Sequence, residues 1–545
     1  MSLMLFPLLA LSLLPQGSSG TWEEVANSWI GPTHQNGFGI SHSTWLVPDS
    51  DGDGHNDVLF GSGQALMGAG AIQLRSGNSG LVLMEALGNP LAEFGKDYCL
   101  LDDHDSDGAP DFLISAPGEV FPGGRGAVYV ISSMTGQIIT RVDGEPGDSR
   151  FGSFLASIGD VSGDGIIDYV VGIANSARFP FAGGGAIAIS GGDGSTLYQV
   201  QEMFTSPGAG KGVGDINLDG TEDFLQGAGD RTYLHSGVDG SVIRFHEAPR
   251  QDTGFGTFNN FAGLGDINFD GVPDYAVGAT APFLRHTPGH VYIYDGASGD
   301  LIRELEGIHI DSSFGRSIAT VGDTNGDGFK DILIGAPDEG SMHPTEEFGA
   351  SRLFSGGDGR LLQVFRGTPG PVLSVGVSVL GLGDVDGNGL SDILIGSASS
   401  AGGGSFNGVW RTYGMQSYLN VFPQEISASA GGTLTFDITF PVSEANRHYR
   451  ILASSHAPGR THFFSVNLPL ARTPVMEQMV HDPPSSFLGA RGTLDANGHA
   501  TATWTIPPGA ASLWVDRTLR FSAVTLAGPN DAGNYSAGMR VRLTN

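Results

Sequence analysis

Asp49-Ser50-Asp51-Gly52-Asp53-Gly54-His55-Asn56-Asp57 sets acids at the first, third, fifth and ninth positions of a nine-residue loop, with glycine at the sixth. Alternate residues of a tight loop face one side and the glycine permits the bend, so several oxygens converge on one point. Such a cage suits a hard cation. Ca2+ takes about six to eight oxygens at roughly 2.3 to 2.6 Å and tolerates irregular geometry better than octahedral Mg2+. The carbonyl of the seventh residue adds a further donor. The apolar run Val58, Leu59 and Phe60 follows at once.

The spacing recurs along the chain. Asp103, Asp105, Asp107 and Asp111 repeat it, then Asp160, Ser162, Asp164 and Asp168, then Asp215, Asn217, Asp219 and Asp223. Asp266, Asn268, Asp270 and Asp274 follow, then Asp323, Asn325, Asp327 and Asp331, and last Asp384, Asp386, Asn388 and Asp392. Successive first aspartates are 54, 57, 55, 51, 57 and 61 residues apart, a period that means one supersecondary unit per copy. The seven copies hold 23 carboxylates, which would repel one another strongly without counter-ions; up to seven Ca2+, one per unit, are expected. The third loop, with Ser162 at position three, is the poorest of the cages. An EF-hand would need a bidentate acid at position twelve and flanking helices, whereas apolar β-type runs flank every loop here.

Each unit reads alike. A Phe-Gly pair precedes the loop, as in Phe94-Gly95, Phe151-Gly152, Phe255-Gly256 and Phe314-Gly315. An apolar run ending in a Gly-Ala-Pro-like triplet comes after it, as in Ile332-Leu-Ile-Gly-Ala-Pro337. A glycine-opened alternating run (Gly289-His-Val-Tyr-Ile-Tyr294) and a fourth run after a Ser-Gly or Asp-Gly turn (Leu301-Ile-Arg-Glu-Leu305) complete the unit. Four short runs bounded by glycine turns make one antiparallel blade, and seven blades make a propeller. The seventh unit lacks an evident fourth run, and residues 21–29 occupy the place of one with no unit before it, so the N-terminal strand is expected to close the last blade.

These Phe-Gly and Gly-Ala-Pro elements around D-x-[DNS]-x-[DN]-G-x-x-D loops resemble the FG-GAP repeats of the seven-bladed integrin α-subunit propeller, repeats also found in many secreted bacterial proteins. The resemblance covers about residues 22–416. It departs from the pattern in the fourth unit, where Gly208-Ala-Gly-Lys-Gly212 stands in place of Phe-Gly and reads as a degenerate link, and in the seventh, with Val375-Gly376. The sequence has no inserted von Willebrand-type domain, so the receptor role of integrins does not carry over. From about Tyr418 the loops stop. Leu434, Phe436, Ile438 and Phe440 alternate with polar residues, as do Ala500, Ala502, Trp504 and Ile506, then Met539, Val541 and Leu543, which argues a half-buried antiparallel sandwich. The fold expected is therefore all-β: a seven-bladed β-propeller over 21–416 followed by a smaller β-sandwich over 417–545. The stretch 492–498 with the run after it loosely resembles a small C-terminal β-domain of secreted bacterial proteins, which implies attachment or sorting.

The whole chain has 545 residues, 27 basic against 58 acidic, for a formal charge of -31. Nucleic acid and anionic membranes are thereby disfavoured as partners and cations favoured. The single cysteine, Cys99, excludes an intrachain disulfide framework, and its apolar neighbours mark an inert strand position. Residues 3–14 form an apolar run followed by small and polar residues to 20, so 1–20 reads as a signal peptide; no later segment is long enough to cross a bilayer as a helix. A secreted or cell-surface protein is expected.

With calcium structural and on one face, ligand binding falls to the loops of the other: 118–124, 175–184, 282–288, 338–348 and 399–407. They carry Phe121, Arg178, Phe179, Phe181, Phe283, Arg285 and Phe406, a rim of aromatics and cations for an extracellular protein or glycan ligand. No HExxH, GxSxG or zinc-spaced Cys/His cluster occurs, and Lys211 sits in a stretch without the Ser or Thr of a phosphate loop, so no catalytic residue is assigned. The alternatives are an accessory protein of a secreted hydrolase or lyase acting on polysaccharide or phospholipid, and a structural cell-surface component.

Overall fold

The computed structural model describes residues 20–24, 29–30, 44–63, 68–120, 125–176, 183–201, 209–250, 254–256, 260–280, 287–325, 327, 329–340, 349–367, 372–385, 390–401, 405–455, 461–463, 466–468, 470–509, 517–528, 531–536 and 539–544. Six consecutive four-stranded antiparallel sheets span 44–87, 98–143, 155–201, 209–247, 261–306 and 318–366. The first is built from Thr44–Val47, Asp57–Ser62, Ala71–Arg75 and Val82–Leu87 in that order. A seventh sheet joins Val372–Gly383, Asp392–Ala401 and Ser405–Ser417 to Gly20–Glu24 from the other end of the chain, with Gly20 opposite Ser417 and Glu24 opposite Tyr413. The protein is an all-β propeller.

The burial pattern explains the composition of the strands. The second strand of the first blade, Asp57–Ser62, is buried at every residue, because sheets pack against both of its faces and alternation would leave polar groups between blades. The outermost strand, Val82–Leu87, is buried only at Met84, since one edge and much of its surface meet water. Between blades the phenylalanines of the Phe-Gly pairs are inserted. Phe94 and Phe151 bridge in parallel to Gly70 and Gly126, the glycines that open the third strands, and Phe151, Phe255 and Phe314 are wholly buried. Gly70 has φ 84°, and a Cβ there would lie 2.1 Å from the Phe94 carbonyl oxygen, so only glycine admits the contact. Phe94 meets Tyr129 edge-on at 5.5 Å within the cluster that joins the first two blades.

Two facing sheets follow. One orders Leu419–Phe422, Gly432–Thr439, His499–Ile506 and Phe487–Leu488; the other orders Glu425–Ser427, Met539–Thr544, Thr518–Gly528, His448–Ser454 and Arg491–Thr493. Leu434, Phe436, Trp504, Phe521 and Val541 fill the space between them, with Phe487 and Trp504 stacked at 5.3 Å. The alternation seen in the sequence thus faces a core, but the sandwich is not purely antiparallel: Glu425–Ser427 runs parallel to Met539–Thr544, because the chain enters the second sheet beside its own last strand. A short helix, Pro474–His481, capped by Thr473 Oγ1 accepting the Met476 N–H at 3.2 Å, is also absent from the sequence expectation.

Candidate metal centre and its setting

Each acidic loop connects the first and second strands of a blade, and its ninth residue opens the second strand or immediately precedes it. All seven ninth-position aspartates, Asp57, Asp111, Asp168, Asp223, Asp274, Asp331 and Asp392, are 0% exposed. The first six carboxylates gather N–H donors from two hairpins, and that of Asp392 accepts the Val385 N–H of its own loop at 2.8 Å. Asp168 Oδ2 accepts from Val161 at 2.8 Å and Ser162 at 2.6 Å in its own loop, while Oδ1 accepts from Gly191 at 2.9 Å in the turn between the third and fourth strands. The turn donors are Gly77 for Asp57, Ser133 for Asp111, Gly237 for Asp223, Gly296 for Asp274 and Gly356 for Asp331. Both hairpins therefore share one end of the blade, and the ninth acid ties them.

The fifth acid makes a second tie. Ser76, Ser132, Ser190, Ser236 and Ser355 donate Oγ–H to Asp53, Asp107, Asp164, Asp219 and Asp327 at 3.1 to 3.5 Å. In the fifth blade Asp295 stands at that turn position and accepts from Asn268 at 2.9 Å. The next residue of the turn packs on the carbonyl of loop position eight: a Cβ on Gly237 would lie 2.1 Å from the Glu222 oxygen, and one on Gly356 only 1.8 Å from that of Lys330. The turn between the third and fourth strands, with its serine or aspartate, is thus part of the site, a role that the nine-residue spacing does not announce.

The first acid closes the loop on itself. Asp49 accepts from Gly52 at 2.7 Å and from Gly54 at 2.8 Å, and the Gly54 N–H holds its carboxyl below the usual range. Burial pushes the Asp57, Asp111 and Asp274 carboxyls up, and that of Asp223 to about 6. Carboxylate oxygens of Asp49, Asp51 and Asp53 lie within 4.8 Å of one another, as do those of Asp103, Asp105 and Asp111. That span is about twice a Ca–O distance, so the donor set fits one Ca2+ in each of the two most acid-rich loops. Asp386 and Asn388 of the seventh loop lie outside the described residues.

Comparison with known proteins agrees with the blades. The family model of the FG-GAP repeat matches residues 314–354, the Phe-Gly pair through the third strand of the sixth blade. Integrin alpha-5 of Xenopus laevis is 32% identical over 205 residues, 34% of this chain and 19% of that protein. Integrin alpha-3 of Cricetulus griseus is 35% identical over 156 residues (26% and 14%), and integrin alpha-7 of Homo sapiens 37% over 140 (25% and 12%). The chain carries an integrin α-like FG-GAP propeller. The matches span about a fifth or less of those relatives' length. A crystal structure of BBS1N in complex with ARL6DN overlays on 73% of the chain at 11% identity and a TM-score of 0.46, too loose to pair blade with blade.

One FG-GAP element is displaced from its expected place. Of the stretch Gly208-Ala-Gly-Lys-Gly212, read as a link, Gly208 lies outside the described residues and the rest belongs to a strand: Ala209–Gly214 is the first strand of the fourth blade, pairing with Asp223–Ala228. Lys211 projects from it into a cavity of about 360 Å³ between the first strands of the first four blades, with Trp45, Cys99, Leu155 and Glu222 in its wall. Its Nζ lies 4.3 Å from the centre of the Trp45 ring, and Ser157 donates to Glu222 at 2.8 Å. Phe121, Arg178, Phe179, Phe181, Phe283 and Arg285, expected to form a ligand rim on the face opposite the acidic loops, lie outside the described residues, and Phe406 is placed only as part of the strand Ser405–Ser417. What is described there includes a buried ion pair, Arg352 with Glu339 at 2.6 Å.

Proposed function

We propose that this chain is a secreted or cell-surface binding module whose FG-GAP propeller, residues 21–416, is held by Ca2+ and takes an extracellular protein or glycan on the face away from the acidic loops, with 417–545 as a separate sandwich and 1–20 as a leader. The convergence of three carboxylates within 4.8 Å in each of the two most acidic loops carries the calcium reading. Similarity to integrin α chains supports the binding role. Asp49, Asp51 and Asp53 and Asp103, Asp105 and Asp111 would hold the ion in these loops. Bound Ca2+ would neutralise acids that folding brings together, while the chain's own Ser-Gly turns position those acids.

The test is a thermal melt with and without chelator, together with metal analysis of the native protein. Bound calcium and a lowered melting temperature on chelation are expected. A melt indifferent to chelation and a metal-free protein would remove the central claim. Screening glycans and matrix proteins, then repeating any hit with Phe179, Phe181 and Phe283 replaced together, tests the rim; unchanged binding would dismiss it.

A further inference from the structure

The sixth acidic loop differs from its siblings. In the first five loops the third and fifth side-chain positions, from Asp51 and Asp53 to Asn268 and Asp270, are exposed; in the sixth, Asn325 and Asp327 are each 2% exposed. The cover comes from the C-terminal sandwich. Arg540 Nη2 lies 2.5 Å from Asp323 Oδ2, and Arg520 Nη1 stands 4.0 Å from the same oxygen. The two arginines face each other on the paired strands Thr518–Gly528 and Met539–Thr544. Like charges directly opposite on a sheet repel, and Arg520 is only 9% exposed, so the pair needs an anion in front of it. Asp323 is that anion. At the neighbouring turn of the same blade, Arg360 donates to the Tyr535 hydroxyl and lies 5.5 Å from the centre of its ring. Residues 417–545 hold nine arginines against eight acids, so the sandwich brings no excess negative charge to the acidic face of the propeller.

We propose that the sandwich docks on the sixth blade by placing its own guanidinium groups where the other loops would face a cation, so that domain docking and calcium binding at the sixth loop compete. A planar guanidinium satisfies a carboxylate through directed N–H bonds. An ion drawing Asp323 inward must break that contact, and by reciprocity the contact weakens the ion at this loop. The inference rests on the calcium reading for its second half and on the observed ion pairs for its first.

The experiment counts Ca2+ bound to the full-length chain by equilibrium dialysis at graded free calcium, in the native protein, in Arg540→Ala, and in an Arg520→Gln/Arg540→Ala double variant. Hydrogen exchange over 323–331 and 518–544 is followed in parallel. Arg540 is about half exposed, so its replacement leaves both cores intact. One more ion per chain, or a tenfold or greater gain in affinity at one site, is expected in the variants, with faster exchange of both segments in native protein at saturating calcium. Equal ion counts and affinities in all three proteins, with exchange indifferent to calcium, would overturn the competition while leaving the calcium reading intact. A native protein that binds no calcium would overturn both. Asp323→Asn supplies the check on docking itself: exchange over 518–544 is expected to quicken even in chelator, and unchanged exchange there would show that the ion pair does not hold the domain.

Discussion

Replacing Asp168 separates the architectural part of an acidic loop from its ion-binding part. The carboxylate is 0% exposed and accepts three backbone N–H groups, two in its own loop and one, Gly191, in the turn across the blade. Alanine leaves all three without an acceptor, at about 1 to 3 kcal/mol each, offset in part by no longer burying a charge. A net loss of about 3 to 5 kcal/mol follows. Asparagine keeps one oxygen toward Val161 and Ser162 but turns an amide toward the Gly191 N–H, for a loss of about 1.5 to 3 kcal/mol. Asp160, the exposed first acid, accepts from Gly163 at 2.7 Å and Gly165 at 2.8 Å, yet water reaches those donors, so Asp160→Asn costs about 1 kcal/mol or less in chelator. Urea unfolding in excess chelator, followed by circular dichroism, reads the difference. With a slope near 3 kcal/mol/M the alanine variant's midpoint falls by about 1 M or more. The order should be Asp168→Ala, Asp168→Asn, Asp160→Asn from most to least harmed. Should Asp168→Asn unfold with the wild type in chelator, the ninth acid would be a metal ligand only and the two-hairpin tie would be refuted.

Two further outcomes follow from the same geometry. Gly237→Ala would set a methyl 2.1 Å from the Glu222 carbonyl oxygen, so the hairpins of the fourth blade must part, lowering the stability by about 1 to 3 kcal/mol, read as a lower melting temperature in differential scanning calorimetry whether or not calcium is present. His235, 0% exposed, is held neutral by burial with its pKa lowered to about 4. A folded value below the unfolded one gives stability that is complete above pH 6.5 and lost as the pH falls toward 4. His235→Gln should therefore close on the wild type by about 2 kcal/mol between pH 7.5 and 5 in urea titrations, and a constant gap would contradict the assignment.

The blades were legible because their signals are local. Each strand run is bounded by its own glycines, and the acid spacing fits within nine residues. What stayed hidden are partnerships that cross hairpins or domains. The aspartate at loop position nine has, beside any ligand role, an acceptor role that the loop does not announce, since it depends on a turn 14 to 25 residues later, as with Asp223 and Gly237 or Asp331 and Gly356. Lys211 was misplaced because the fourth blade lacks the Phe-Gly marker that fixes register elsewhere, and its glycine-rich first strand imitates a link. The helix Pro474–His481 was missed although Thr473 and Pro474 form a helix start, because eight residues hold too few turns for the period to show. Arg540 and Asp323, 217 residues apart, share no sequence signature.

The strand Gly20–Glu24 lies in one sheet with Ser405–Ser417, about 400 residues downstream. During synthesis this strand leaves the ribosome well before its partner, so the seventh sheet is completed only after the six sheets between them can already stand. Among the described strand pairs this one joins the most distant segments and so carries the largest loop-closure entropy. Until then both seam edges, the waiting strand and the outer flank of Ser405–Ser417, are open to strands of other molecules. A nascent-chain arrest before residue 405 would yield a gapped ring prone to strand exchange, and a synthetic peptide of residues 20–30 should close the gap in a chain lacking them.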